Sequence, residues 1–471
     1  MSVPDPRYHF NPLERRGILL GITPGQLASG CAAGVAALLV RVALGARVGT
    51  PAGAAIVLVG SALSLIPIGE ATAMERAQVG CAWLLRKAGR TKLSDVPTEG
   101  RNLHPDDLDL SSTSSRSKAS RTAPAGISII ERPVSSGGPP VGVVRDQRSG
   151  TLTAVIAVQG PPFSLLDPED QSSCLEGWRS VLAALGRAGS PIARIQWLQR
   201  STTESPSTQA VVPSPLSAVS PDAYRSFVTE ATPLIERHDA WIALSVGSAR
   251  VPRRRLALGQ RSVDVLGREL RFVDGQLRSV DLRPTGPLEL TALADLLAGK
   301  PGEPWPLALR EGWSEIQADD SWHRTYWVSD WPRLDVGPNF LAPLLVAKAN
   351  RRMSVVMAAV APRSAVRQAR SARTADVADT QLRMKAGFLP NARREKEAEG
   401  ALRRELELAD GHCDYRFSGY VTESAESLEA LEAACAALEQ AAQAARVELR
   451  CLYGRQAEAY SWTMPLCRGL R

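Results

Sequence analysis

Five arginines, Arg250, Arg253, Arg254, Arg255 and Arg261, stand close together in RVPRRRLALGQR and make the densest purely basic run in the chain. A guanidinium offers a planar fork of donors that matches phosphate oxygens, so such a run suits a nucleic-acid backbone or anionic lipid headgroups. Arg363, Arg367, Arg370 and Arg373 recur at helical spacing and offer the same chemistry a second time. Other groupings promise less. His412 and Cys413 are the one His/Cys neighbour pair, and adjacent residues on a strand point to opposite faces, which makes them poor joint metal ligands. Asp319-Asp320 reads as solvated loop charge. The single Gly-Lys pair, Gly299-Lys300, is followed by Pro301 and does not fit the phosphate-cradling pattern G-x-x-x-x-G-K-[ST]. Neither HExxH, nor GxSxG, nor GxGxxG in a strand-to-helix setting is present. No catalytic residue, cofactor-binding residue or metal ligand is therefore expected, and an enzyme is the less economical reading.

The elements that must position these arginines belong to a chain of 471 residues, room for two or three domains. Hydrophobic content of 44% and charged content of 22% are ordinary for globular proteins. The net charge of +7 rests on arginine far more than lysine and favours anionic partners without choosing between lipid and nucleic acid. Seven cysteines at scattered positions show no framework spacing and no Cys-x-x-Cys pair, so reduced thiols in a cytosolic environment are expected.

Apolar residues concentrate at the front. Ile18 to Val40 and Val48 to Gly69 are two uncharged stretches, each long enough to cross a hydrocarbon core of roughly 30 Å. The short spacer RVALGAR makes them a two-helix transmembrane hairpin with juxtamembrane helix over residues 1–90; a signal peptide would be one shorter stretch with a cleavage site. Arg7, Arg15 and Arg16 before the pair and Arg76, Arg86, Lys87, Arg90 and Lys92 after it outweigh Arg41 and Arg47 in the turn, which places both termini on the cytoplasmic side of a plasma membrane. Gly30 and Gly34 form a GxxxG spacing suited to close helix packing in the membrane.

Residues 91–140, rich in Ser, Pro and Gly, read as a flexible linker. Alternating strands and helices follow. TLTAVIAV is a strand, Asp167-Pro168 opens a helix to about Arg187, PIARIQWLQR and DAWIALSV are strands, and a helix lies near Pro221–His238. Asp274-Gly275 between apolar arms signals a hairpin, and TGPLELTALADLLAG is a short helix ending at glycine. Residues 141–300 thus form a first cytosolic α+β domain. Residues 301–471 form a second: RTYWVSDW, MSVVMAAVA, CDYRFSGYVT and VELRCLY are strands, with helices at NFLAPLLVAKAN and around Leu428, Leu431, Cys435 and Leu438. A charged helical hairpin at 363–410 is inserted, and without it the order is βαβ–βαβ, ferredoxin-like. The fold class expected is α+β: a transmembrane hairpin followed by two ferredoxin-like sheet domains.

The opening YHFNPLERRGILLGITPGQL, the paired apolar stretches and ATAMERAQVGCAWLLRKAGR resemble an actinobacterial family of PrgI-like integral membrane proteins from conjugative, type IV secretion loci. The later region is similar to the non-motor amino-terminal half of TraC-type conjugation ATPases. RTYWVSDWPRLDVGPNFLAPLL, the strand ending at Pro362 with its charged hairpin, SGYVTESAESLEALEAACAALEQAA and QAEAYSWTMPL occur in that order. In those ATPases a Thr-x-Pro-Leu-like segment leads into a Walker motor domain, and the Walker motifs have no matching positions here.

The resemblance implies a non-catalytic, membrane-anchored docking subunit of a type IV-like secretion or conjugative DNA-transfer apparatus. Its implied partners are a separate conjugation-type motor ATPase, other membrane subunits and membrane lipids, with nucleic acid as a further candidate. The alternatives are an EccE-like membrane component of a type VII secretion system and a membrane-tethered DNA-binding protein.

Overall fold

The computed structural model describes residues 24–65, 67–68, 71–72, 76, 79–85, 126–133, 139–161, 163–203, 236–247, 258–299, 309–318, 320–332, 334–346, 349–385, 392–409 and 412–470. They divide into a helical unit, chiefly within Leu13–Ser120, and a sheet unit, chiefly Arg121–Leu452 and Gln456–Arg471.

In the helical unit, Pro24–Leu65 is helical on both sides of Gly45, whose backbone (φ 74, ψ 172) leaves the helix and turns the chain back on itself. The two arms touch through glycine. A Cβ on Gly53 would lie 3.4 Å from that of Ala37, and one on Gly60 would lie 2.8 Å from that of Ala33. Outward, Val35, Leu38, Leu39, Val42, Val48 and Leu58 are exposed. Strands β1 (Pro67–Ile68) and β2 (Ala71–Thr72) pair antiparallel behind the second arm.

The expected transmembrane hairpin and its plasma-membrane location are overturned: among the described residues no helix is long and apolar enough to cross a membrane. Lack of charge is not the same as apolarity. Alanine and glycine, which fill these arms, add little apolar area per residue, and Arg41 and Arg47 interrupt the helical run near the turn. The start of the first expected span, residues 18–23, lies outside the described residues.

The sheet unit is built on β3 (Ile127–Pro133), β4 (Pro140–Asp146), β5 (Thr151–Gln159), β6 (Ile192–Thr203), β7 (Glu236–Gly247), β8 (Arg283–Pro287), β9 (Leu309–Glu311), β10 (Ile316–Ala318), β11 (Ser321–Asp330), β12 (Asn350–Ala359), β13 (Tyr415–Ala425) and β14 (Glu448–Cys451). All twelve belong to one sheet, in the order β3-β4-β5-β7-β6-β12-β13-β11-β10-β9, with β8 beside β5 and β14 beside β11. Two four-strand sets stand out, β8-β5-β7-β6 and β14-β11-β13-β12. In each, the strand order by sequence is fourth, first, third, second, the order of a ferredoxin-like unit. The two sets are not separate sheets: β6 pairs antiparallel with β12, from Ile195↔Met357 to Ser201↔Arg351, so the second strand of one is hydrogen-bonded to the second strand of the other.

Helices Pro168–Leu185 and Leu258–Arg278 cover one face of the first set through Val181, Leu185, Leu266, Leu270, Val273 and Leu277. On the same face of the second set, Leu428–Ala444 buries Leu431, Cys435, Leu438 and Ala442, and its Glu439 accepts a hydrogen bond from the Tyr326 hydroxyl. The opposite face carries helix Leu290–Ala298, helix Gln456–Trp462 and the segment after it, with Leu293, Leu297, Tyr460, Met464, Leu466 and Cys467 in a common core. Each large apolar side chain buried this way contributes about 1.5–3 kcal/mol before entropy.

Several expectations change. Asp274-Gly275 is inside helix Leu258–Arg278 rather than at a hairpin turn. Val263, Leu266, Leu270, Val273 and Leu277 repeat every three or four residues and are buried, and that long apolar stripe outweighs a two-residue turn signal. NFLAPLLVAKAN yields only the turn helix Ala342–Leu345. Ile127–Pro133, within the stretch read as linker, is strand β3 and pairs with β4 along its whole length; its isoleucines were hidden between Ala-Pro-Ala-Gly and Ser-Ser-Gly-Gly-Pro-Pro. The expected helix near 221–238 lies outside the described residues except for its end, where β7 begins at Glu236.

Candidate functional site

The centre of the sheet is polar. Where β6 meets β12, five strands place polar residues side by side in two lateral rows. In one row Asp239 on β7 faces Arg200 on β6, Arg200 faces Arg352 on β12, Arg352 faces Thr422 on β13, and Thr422 faces Thr325 on β11. The next row, on the opposite face because side chains alternate along a strand, runs His238, Ser201, Arg351, Glu423 and Arg324.

The second row is closed. Arg351 and Glu423, 3% and 0% exposed at their side chains, form an ion pair, and Arg351 also donates to the Leu344 carbonyl. Arg351 Nη2 and Glu423 Oε2 have no hydrogen-bond partner. Burial pushes the Glu423 carboxyl up to about 7 against the pull of Arg351. Ser201 and His238 approach to 2.9 Å, but Ser201 is buried. Its hydroxyl ties two strands together and is not presented to a substrate. Arg324 donates to both carboxylate oxygens of Glu432 at 3.0 and 2.6 Å, fastening helix Leu428–Ala444 to the sheet.

The first row is open at its middle. Arg200 and Arg352 are like charges placed directly opposite, an arrangement that destabilises a sheet unless something answers it. Arg200 donates to Asp239 at 3.1 Å and to the Gly299 carbonyl at 3.4 Å, while its Nε is buried without a partner. Desolvation, then the neighbouring charge of Arg352, pull the Arg200 guanidinium below its ordinary value despite Asp239. Among the described residues Arg352 donates to the Tyr460 hydroxyl, at 3.4 Å, and stands over the Tyr460 ring. Among the described residues no carboxylate is within ion-pair distance of it. Arg200 and Arg352 line a small cleft together with Leu198, Trp241, Leu296, Thr463 and Pro465.

One wall is the C-terminal segment, held by Gln196. The Gln196 amide nitrogen donates to Ser354 Oγ and to the carbonyls of Trp462 and Met464 at 2.7, 3.0 and 2.9 Å. Its oxygen accepts from the Cys467 backbone N–H at 2.7 Å. Arg194 donates to the Cys467 carbonyl, Tyr420 to that of Gly469, and Arg468 pairs with Asp146 at 2.8 Å. The Cys467 thiol, pushed up to about 12 by burial, is a core group and not a nucleophile.

The residues singled out from sequence fall elsewhere. Arg250, Arg253, Arg254 and Arg255 lie outside the described residues, and Arg261 is in the first turn of helix Leu258–Arg278. Gly30 and Gly34 are described, but a Cβ on either would meet nothing within 4 Å; the helix contact runs through Gly49, Gly53 and Gly60 instead. Arg370 and Arg373 pair with Glu405 across the charged hairpin, at 3.8 and 2.9 Å. Cys413 packs against Gly186, and among the described residues no group of three His, Cys, Asp or Glu side chains could hold a metal ion. Arg200, Arg352 and Gln196 were missed; of the three, Gln196 alone interrupts a strand's apolar run. Only Gln196 carried a signal, as a polar residue in the middle of an expected strand; Arg200 and Arg352 lie toward strand ends, and only the register shows that these residues meet.

Compared with protein-family models and with curated proteins, the chain shows no match to either.

Proposed function

We propose that the chain is a non-catalytic docking subunit of a type IV-like secretion or conjugative transfer apparatus, whose partner is a separate motor ATPase. One observation supports the reading. The four stretches that carry the likeness to the non-motor half of TraC-type ATPases are β11 with the turn helix Ala342–Leu345, β12 with the helices Pro362–Lys385 and Ala392–Ala409, β13 with helix Leu428–Ala444, and the segment around Gln456–Leu466. In the sheet unit they supply β11, β12 and β13, three strands of one ferredoxin-like set, with helix Leu428–Ala444 and the segment from Gln456 packed on it. A body of this kind presents surfaces rather than a reaction centre. The helical pair after β12 is held by exposed Arg-Glu contacts and the Arg404–Asp414 pair, and it and Asn339–Leu345 are the segments through which a partner would be engaged.

Co-purification of the full chain from its native cell tests this. Recovery of an ATPase carrying Walker motifs, lost when residues 363–409 are replaced by a short Gly-Ser turn while the rest stays folded, is the expected result. Recovery of type VII core proteins instead, or ATP hydrolysis by the purified chain alone, overturns it.

A further inference from the structure

We propose that the cleft between Arg200 and Arg352 is an oxyanion site that takes a single phosphoryl group, independently of any docking role. Three observations converge on it. The first is charge. Asp239 is the carboxylate of the cluster, and it is already shared between Arg200 Nη2 at 3.1 Å and Arg237 Nε at 2.9 Å. Arg352, opposite Arg200 in the register, meets Thr422 on its other side, a residue with no charge to offer. Three guanidiniums against one carboxylate leave a surplus of two positive charges, which a phosphoryl dianion answers and a carboxylate monoanion only half answers.

The second is geometry. Both guanidiniums converge on Gly299, which caps helix Leu290–Ala298 with φ 90. Arg200 Nη1 donates to its carbonyl, and Arg352 Nη2 fills the space that a side chain at this position would need, 2.1 Å from where its Cβ would be. The arginines are thus set side by side, with N–H groups in excess of the acceptors supplied by the chain; the buried Arg200 Nε has none. Paired forks of this kind bind tetrahedral oxyanions through several charge-assisted hydrogen bonds.

The third is the wall. Leu198, Trp241, Leu296 and Pro465 bound the cleft with apolar surface, and Trp241 lies under the Arg200 guanidinium at 5.1 Å. Apolar walls around two cations strengthen their attraction for an anion by lowering the local dielectric.

The test is calorimetric titration of the full chain with inorganic phosphate, against sodium chloride at matched ionic strength. A second arm uses adenosine monophosphate and a third uses acetate. Wild type is compared with Arg200→Gln, Arg352→Gln and, as a control, the exposed Arg416→Gln. The proposal expects phosphate binding that falls roughly tenfold or more in each of the two cleft variants and is unchanged in the control. Arg352→Gln relieves the like-charge opposition, so without phosphate it should melt at the same temperature as wild type or higher, which separates lost binding from lost folding. Tighter binding of the nucleotide means that the phosphoryl group arrives on a nucleotide; tighter binding of inorganic phosphate means that it arrives free, and either outcome upholds the site. Absence of phosphate binding beyond that of chloride, equal binding in wild type and Arg352→Gln, or acetate bound as tightly as phosphate overturns it.

Discussion

The helical hairpin and the sheet solve opposite problems. In Pro24–Leu65 apolar side chains such as Leu38, Leu39 and Leu58 point outward and the contact between the arms is made by backbone, at Gly53 and Gly60 against Ala37 and Ala33. In the sheet unit apolar side chains fill both faces, and charged residues, Arg351 and Glu423, are enclosed where two ferredoxin-like sets join. A contact made of glycine depends on shape alone and is spoiled by any added atom. A contact made of buried polar groups depends on every partner being present and is spoiled by any removed one.

The sharpest way to break that contrast is at Gln196. Replacing it by Leu leaves the carbonyls of Trp462 and Met464 and the N–H of Cys467 without partners. The expected loss is about 4 kcal/mol, read as a lower urea midpoint of the sheet unit and as faster proteolysis after Tyr460. A loss below about 1 kcal/mol would mean that the terminal segment is held by apolar packing instead.

Next is the buried pair. Arg351→Met strands Glu423 and should cost about 3 kcal/mol, while Arg351→Met with Glu423→Leu should recover most of it. The pair also gives a pH signature. Because the Glu423 carboxyl is raised from 4.5 to about 7 by burial, the folded chain holds that proton more tightly than the unfolded chain. Its contribution is full below the ordinary carboxylate pKa and is lost as pH rises through 7. Urea midpoints of wild type should therefore fall across that window relative to Glu423→Gln.

In the hairpin, Gly53→Leu should cost about 2 kcal/mol of local stability by overpacking, whereas Gly30→Leu and Gly34→Leu should change little. A disulfide between cysteines placed at Ala37 and Gly53, with Cys31 and Cys81 changed to Ser, checks the approach directly, since Cβ atoms 3.4 Å apart are near disulfide range. Failure to cross-link under oxidation would show that the arms are apart. The smallest effect belongs to Arg373→Ala on the charged hairpin, where an exposed pair with Glu405 is worth about 0.5 kcal/mol and should vanish in high salt.

Local pattern carried the reading a long way. Asp167-Pro168 opens its helix with the proline in the first turn, Gly299 ends another in a left-handed conformation, and Leu431, Cys435 and Leu438 are the buried stripe of a third. Each of these is decided within a few residues. The reading failed where a short signal competed with a longer one, as at Asp274-Gly275, and where uncharged was taken for apolar, as between Gly30 and Leu65. The candidate site was out of reach for a different reason. Gln196, Arg200 and Arg352 are separated by up to a third of the chain, and nothing near any of them in sequence names its partner.

What the sequence determined by itself was the alternation of strands and helices, the charged hairpin after Pro362 and the helical character of Pro24–Leu65, because periodicity and capping act between neighbours. Only the tertiary structure decided that two strand sets share one sheet, that Arg200 and Arg352 stand face to face, and that the terminal segment is gripped by Gln196. Register between distant strands is fixed by how all side chains on both faces pack at once, and a shift of one residue would exchange the open row of charges for the closed one.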